Sequence, residues 1–174
     1  MASRAAAVAL TVNRVRVTTK VVDRDFIRVG RSRIDGTGVF AKRKIPKGAR
    51  IIEYTGARVP VDAVVAVANE GPPAAVYAFR LNDTTIIDGA SGGNDARYVN
   101  HSCAPNCEAL SFDDHMYFYA LRDITRGEEL TFDYRLNASS PRRPTRRARE
   151  AHACRCGSAN CRGTMLARRP ARSR

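Results

Sequence analysis

Hydrophobic positions along this 174-residue chain fall in short runs of strand length, some of which alternate with polar residues at the two-residue period of a strand. Phe26 to Val29, Val39-Phe40-Ala41 and Arg50 to Tyr54 are predicted strands, separated by a turn-rich segment at Gly30 to Gly38 and a Pro46-Lys47-Gly48 turn. A weaker alternation, at Val15, Val17 and Val21, runs through Val8 to Val22. Tyr77 to Leu81 and Thr85 to Asp88 pair across Asn82-Asp83, a loop follows at Gly89 to Gly93, and Asn94 to Val99 reads as a helical turn. Glu108 to Phe112 and Met116 to Leu121 make a hairpin over Asp113-Asp114-His115, and Ile124 to Leu130 reads as a turn. One segment has the helical period: Val61 to Asn69, with Val61, Val64, Val65 and Ala68 on one face, Pro60 before it and Gly71 and Pro72-Pro73 after it. Ser139 to Glu150 is a polar linker rich in Pro and Arg. Many short strands, one small helix and no internal repeat predict a mostly-β fold.

Charge changes this picture at the ends. The net charge is +13, yet residues 1–22 hold Arg4, Arg14, Arg16 and Lys20 with no acid, 135–150 hold six arginines against Glu150, and 162–174 hold five arginines and no acid. The stretch 23–134 carries −2, so a nearly neutral body, which would not repel a basic substrate, has basic flanks. Such flanks suit DNA or another polyanion. Only four of the 30 basic residues are lysines, and the Arg and Ala bias is equally the signature of a GC-rich genome. No apolar run approaches the roughly 20 residues of a membrane helix, and Ala5 to Leu10 is too short for a signal-peptide core. The composition supplies enough apolar residues for one domain with a small appendage.

Chemistry concentrates in three stretches. Arg97-Tyr98-Val99-Asn100-His101-Ser102-Cys103-Ala104-Pro105-Asn106-Cys107 packs ligand-capable side chains around one proline, as a rigid irregular loop would. Gly127-Glu128-Glu129-Leu130-Thr131-Phe132-Asp133-Tyr134 follows, then Cys154-Arg155-Cys156-Gly157-Ser158-Ala159-Asn160-Cys161. Five cysteines, three of them closely spaced, read as a metal site in a reducing compartment better than as a disulfide framework. A structural zinc takes four tetrahedral ligands. Cys154, Cys156 and Cys161 supply three, and the fourth must be Cys103, Cys107 or His152. Upstream, Gly36-Thr37-Gly38 permits close approach of backbone to a ligand. It opens no long helix, which excludes a Rossmann-type nucleotide site.

Taken in order, these motifs resemble the SET-domain protein lysine methyltransferases, over roughly Ile27 to Leu166. Asn-His-Ser-Cys, Glu-Leu-Thr-Phe-Asp-Tyr and a post-SET Cys-x-Cys-x4-Cys all stand in place. The resemblance implies small β-sheets around a threaded, pseudoknotted loop, with a short post-SET zinc module. It divides the chain into a basic extension (1–25), a SET domain (26–136), an Arg/Pro-rich linker (137–150), the zinc module (151–167) and a basic tail (168–174), with no zinc-rich pre-SET region. It implies S-adenosylmethionine bound by Gly36, Thr37, Gly38, Tyr77, Asn100 and His101, His101 acting through its backbone and not as a general base. It assigns the zinc to Cys103, Cys154, Cys156 and Cys161, leaving Cys107 spare. It makes Tyr134 the catalytic tyrosine, with Tyr77 on the channel wall, Tyr54 a weaker candidate there, and Phe132 the residue that sets how many methyl groups are added.

The function so implied is methylation of a basic protein, with histone tails first and two or three methyl groups per lysine. Methylation of a ribosomal or DNA-packaging protein is the alternative within enzymes. A zinc-stapled nucleic-acid module with arginine arms is the alternative outside them, and it leaves Tyr77, Asn100 and Tyr134 unexplained. The location implied is nuclear or chromatin-associated for a eukaryotic or secreted protein, and cytoplasmic otherwise. The sequence is silent on oligomeric state.

Overall fold

The structure is a computed structural model that describes residues 18–21, 26–63, 77–136 and 145–167. The arginine-rich ends, most of the predicted Val61–Asn69 helix and most of the linker lie outside the described residues, although residues 61–63 are helical. No helix among the described residues is long and apolar enough to cross a membrane.

Among the described residues eleven strands build three small sheets: β1 Thr18–Val21, β2 Ile27–Arg31, β3 Thr37–Ala41, β4 Ala49–Tyr54, β5 Ala57–Pro60, β6 Ala78–Arg80, β7 Thr85–Asp88, β8 Asn100–His101, β9 Cys107–Phe112, β10 His115–Ala120 and β11 Glu129–Phe132. The orders are β1-β4-β10-β9, β2-β3-β11-β8 and β5-β7-β6. Local pairing follows the sequence. β9 and β10 form a hairpin with Phe112 opposite His115 and Cys107 opposite Ala120. Its turn is Asp113-Asp114, at φ +50° and +58°, the left-handed geometry of a two-residue hairpin loop that aspartate tolerates. His115, expected in the turn, begins β10.

Pairing between distant segments decides the architecture. β11 runs antiparallel to β3, with Leu130 opposite Val39. On its other edge it runs parallel to β8, with Thr131 opposite Asn100 and Phe132 opposite His101. The backbone N–H of Ser102 extends this ladder to the Phe132 carbonyl at 3.0 Å. The Asn-His-Ser-Cys and Phe-Asp-Tyr segments therefore lie side by side, as the threaded arrangement requires. Leu130, expected in a turn, is fully buried with Val39, Ile45, Phe118 and Ile124. The turn is confined to the residues around Gly127, at φ +85°, where glycine carries no penalty.

The polar loop is fixed on β11 by Asn106, which is 2% exposed. Its Nδ2 donates to Glu128 Oε1 and to the Glu129 carbonyl, both at 2.8 Å, and its Oδ1 accepts the Thr131 N–H at 2.8 Å. A buried amide is tolerable because its hydrogen bonds are made. After β11 the chain reaches Leu136, whose N–H donates to the Met165 carbonyl while its own carbonyl accepts the Ala167 N–H. The cysteine module is thereby docked back on the end of the domain, with Leu166 buried. Arg146–Ala151 is helical, where the sequence indicated irregular linker. Arg146 and Glu150 pair across one turn at 2.8 Å, a modest support for so short a helix.

Glu128 joins this network and sets a pH limit on it. Burial opposes its ionisation, but the Arg122 guanidinium at 2.6 Å, the Asn106 amide and the Thr125 N–H outweigh it and draw the carboxyl down to about 2. A carboxylate whose folded pKa is depressed stabilises the fold above its unfolded value of about 4.3 and loses that contribution as pH falls to the folded value. Denaturant midpoints measured from pH 6 to 2 are expected to fall mainly below about pH 4.5, and Glu128→Gln to flatten that fall. An unchanged slope in the variant would assign the acid sensitivity to other carboxylates.

Candidate active site

The site is built around the β8–β11 contact. Asn100, 8% exposed, directs its Nδ2 at the Thr37 carbonyl (2.9 Å), the Asp35 carbonyl (3.2 Å) and Glu129 Oε1 (2.9 Å). Glu129 also accepts from Ser32 Oγ at 2.7 and 3.0 Å. These contacts hold the turn before β3 against β8, so Gly36, Thr37, Gly38 and Asn100 meet in space. The two glycines are needed for different reasons. Gly36 sits at φ +39° with open space around it. A Cβ on Gly38 would run into the Glu129 carboxylate. One position requires a rare backbone conformation and the other a close approach.

His101 is 3% exposed. Its Nδ1 accepts the Tyr134 N–H at 3.1 Å, which leaves Nε2 as the protonated nitrogen, 3.4 Å from Cys103 Sγ. Burial lowers its basicity, against an opposing pull from the nearby Asp133 carboxylate. With both nitrogens engaged and the ring neutral, His101 serves as a structural bridge and is poorly placed to shuttle protons.

Tyr134 donates its hydroxyl to the Val99 carbonyl at 3.1 Å. Burial, reinforced by Tyr54, Asp35, Tyr77 and Glu129, pushes its pKa up, so the phenol stays protonated. It ends a continuous aromatic wall. Its ring centroid lies 4.7 Å from Phe132, Phe132 lies 4.9 Å from Phe118 and 5.5 Å from Phe79, and Phe79 lies 5.2 Å from Tyr54. Tyr54 donates to the Tyr77 carbonyl at 2.5 Å, and Tyr77 meets Tyr98 edge-on at 6.0 Å. Behind this wall the Arg97 guanidinium lies 4.8 Å from the Tyr98 ring centroid, with its Nη2 on the Tyr98 hydroxyl.

The sulfur atoms of Cys103, Cys154, Cys156 and Cys161 all lie within 4.8 Å of one another. Tetrahedral Zn–S bonds of about 2.3 Å place sulfurs about 3.8 Å apart, and Cys103 and Cys154 stand at 3.7 Å. The donor set fits one zinc ion. Burial pushes the Cys103 and Cys154 thiols up. Burial opposes ionisation of Cys156 too, but the Cys103 N–H and Ser158 outweigh it and draw that thiol down to about 5. Cys107 is outside the cluster, 1% exposed, held by Asn106 and pushed up to about 12 by burial. His152 is also outside it, and its carbonyl accepts the Met165 N–H. A cavity of about 420 Å³ opens beside the cluster, lined by Cys103, Asp133, Arg135, Arg162 and Ala167. None of Gly36, Thr37, Gly38 or Asn100 lines it.

Residues 36–135 match the SET domain family. The chain belongs to the SET-domain family. It is similar to histone-lysine N-methyltransferase 2B of Homo sapiens, with 36% identity over 151 residues, 82% of this chain and 5% of the relative. It is also similar to histone-lysine N-methyltransferase TRX1 of Oryza sativa subsp. japonica, with 38% identity over 154 residues, 84% of this chain and 14% of the relative. A third relative is the histone-lysine N-methyltransferase, H3 lysine-4 specific, of Chaetomium globosum, with 37% identity over 149 residues, 80% of this chain and 13% of the relative. The chain thus spans a small part of the length of each.

Within this SET domain the fold brings together residues whose contacts no local pattern marked. Phe79 and Phe118 read as strand hydrophobics, and both abut Phe132. Glu129 read as the first residue of the Glu-Leu-Thr-Phe-Asp-Tyr motif, within a predicted turn and with no partner indicated, and it carries the contacts of Asn100 and Ser32. Arg97 and Arg162 read as two arginines among 26. Each has a buried Nε without a hydrogen-bond partner, a sign that other contacts dictate where the guanidinium sits.

Proposed function

We propose that this chain is a protein-lysine N-methyltransferase that uses S-adenosylmethionine and acts first on histone tails. The observation that carries the reading is the parallel β8–β11 pairing, which sets Tyr134 and its aromatic wall beside Asn100 and the Gly36–Gly38 turn. S-adenosylmethionine, when bound, would supply an electrophilic methyl group on a sulfonium, the neutral amine forming its N–C bond in-line as the S–C bond breaks to leave a neutral thioether, with the positive charge passing to the methylated amine. Gly36, Thr37, Gly38, Tyr77, Asn100 and the His101 backbone are the residues assigned to hold it. The wall of Tyr54, Phe79, Phe132 and Tyr134 disfavours a lysine ammonium by desolvation, against a free pKa of about 10.4. It also aligns the amine, and positioning of this kind lowers the barrier substantially. The Tyr134 proton is committed to Val99, so its oxygen presents lone pairs that polarised C–H groups can approach. The N-terminal tail of histone H3, which holds the lysine that one relative is named for, is the first peptide to try. The basic flanks would add chromatin contact through phosphates.

Tyr134→Phe is expected to lower turnover on a histone H3 peptide by about a hundredfold or more, given the size of losses when a positioned polar group is removed. Folding, read by circular dichroism, is expected to be kept, and wild-type turnover in that variant would remove the assigned role. A panel of ribosomal and DNA-packaging proteins run alongside histones decides the substrate class.

Phe132 carries no hydroxyl, so a methylated amine keeps room to rotate and attack again. Wild-type product is expected to reach di- and trimethyl-lysine in an intact-mass time course, and Phe132→Tyr to shift it towards monomethyl-lysine. A difference of about 1.4 kcal/mol, one hydrogen bond, is enough for a tenfold bias. Product that stops at one methyl in the wild type overturns this assignment.

The cysteine cluster is read as a structural zinc site, which would add folding energy to the module. Metal analysis should find one zinc per chain, lost in Cys103→Ser and kept in Cys107→Ser. The reverse pattern would move the fourth ligand to Cys107.

A further inference from the structure

The cysteine module grips the segment that bears Tyr134 through a half-buried ion pair. Arg162 donates from Nη1 to Asp133 Oδ2 at 2.9 Å and from Nη2 to Oδ1 at 2.6 Å, a two-pronged match of guanidinium to carboxylate. The two side chains are 11% and 18% exposed. Each partner adjoins a residue of consequence. Arg162 follows Cys161, and its own N–H donates to Cys103 Sγ at 3.3 Å. Asp133 precedes Tyr134, and its Oδ1 also accepts the Arg135 N–H at 3.3 Å. Arg135 has φ +46°, a conformation that a non-glycine residue adopts only when its surroundings impose it. The Asp133 carboxylate therefore closes a turn around Tyr134. The Tyr134 N–H goes to His101, whose other nitrogen faces Cys103. Cys103 thus reaches the Tyr134 backbone by two routes, one through His101 and one through Arg162 and Asp133.

We propose that Arg162 is a positioning residue, which transmits the order of the metal-bound cysteine module to Tyr134 through the Asp133 carboxylate. The proposal rests on the zinc site and the role of Tyr134 given above. The geometry calls for arginine in particular. The fork bonds both carboxylate oxygens at once and so fixes the orientation of Asp133 as well as its charge. A lysine ammonium in the same place would supply only a point charge. Loss of Asp133 leaves the half-buried Arg162 guanidinium without its carboxylate, and loss of Arg162 leaves Asp133 only the Arg135 N–H and the Arg135 Nε at 3.7 Å, so the turn rearranges more readily when the clamp is broken. The clamp also gives the module a part in activity beyond covering the domain end, because its ordering is felt one residue from the phenol.

The test uses the full chain with its metal and reads hydrogen exchange at the Tyr134 amide, zinc per chain, and kcat and KM on a histone peptide. In Arg162→Gln, zinc is expected to stay at the wild-type level. Tyr134 amide exchange should rise and kcat should fall, each by about tenfold or more, while the peptide KM changes little. Arg162→Lys should recover part of both losses, and Asp133→Asn combined with Arg162→Gln should be no worse than Asp133→Asn alone. Chelating the metal from the wild-type chain should raise exchange at the same amide. If Arg162→Gln does not fold, Arg162→Lys carries the same readouts. Wild-type exchange and kcat in a zinc-loaded Arg162 variant would overturn the coupling. So would loss of zinc with activity restored by added zinc, since Arg162 would then only retain the metal. A wild-type chain that shows the exchange response but transfers no methyl group supports the coupling and overturns the activity assigned to Tyr134.

Discussion

Two residues of β8 lying parallel against β11 are the contact on which the rest of the site depends. Parallel strands need a long connection, and here it runs through β9, β10 and the turn at Gly127 before the chain returns. The return has little slack, because Asn106 and Glu128 lock the far end of the polar loop to β11. A slip of one residue would turn Thr131 and Phe132 to opposite faces. Thr131 would lose its bond to Asn106, and Phe132 would leave the aromatic wall. Register in this ladder is therefore set by side chains that belong to other segments.

Buried polar groups carry unusual weight in so small a domain. Asn100, His101, Ser102, Asn106 and Thr131 are all buried, within one short region. Each would destabilise the fold if left unpaired. They are paired chiefly with backbone and with one another, so the network is satisfied as a unit. The energetic consequence is specificity more than raw stability. Alternative packings that bury the same apolar residues would leave these groups without partners. The electrostatic consequence is that Tyr134 remains a neutral phenol and His101 a neutral imidazole. The site is organised for orientation and desolvation, which fits transfer to an amine that must first lose its proton.

The cysteine module continues the same logic through a second kind of contact. It adds little apolar surface beyond Leu166, yet meets the domain through the Cys103 thiol, the Leu136 backbone and a bidentate ion pair. Such contacts are directional. They hold the module in one orientation, whereas a greasy contact of similar size could slide.

Local elements and the inventory of candidate groups were legible in the linear chain. Short apolar runs bounded by turn residues marked the β9–β10 hairpin and the strands at Val39–Ala41 and Arg50–Tyr54, because such runs and their turns are written in consecutive residues. Cys-x-Cys-x4-Cys marked three candidate metal ligands, because ligand spacing is local too. By itself the spacing leaves Cys103, Cys107 and His152 open as the fourth ligand. The folded chain alone gathers Cys103 with the other three sulfurs and turns Cys107 into the core. Leu130 was misplaced in a turn and Arg146–Ala151 in irregular linker, since nothing within either segment shows what it packs on. The partners of Glu129, Phe118, Arg97 and Arg162 were invisible for the same reason. A charged or aromatic residue carries no mark of a partner 29 positions away, such as Asn100 is to Glu129 and Asp133 to Arg162. Which groups meet is a property of the pairing between β8 and β11, and that pairing exists only in the folded chain.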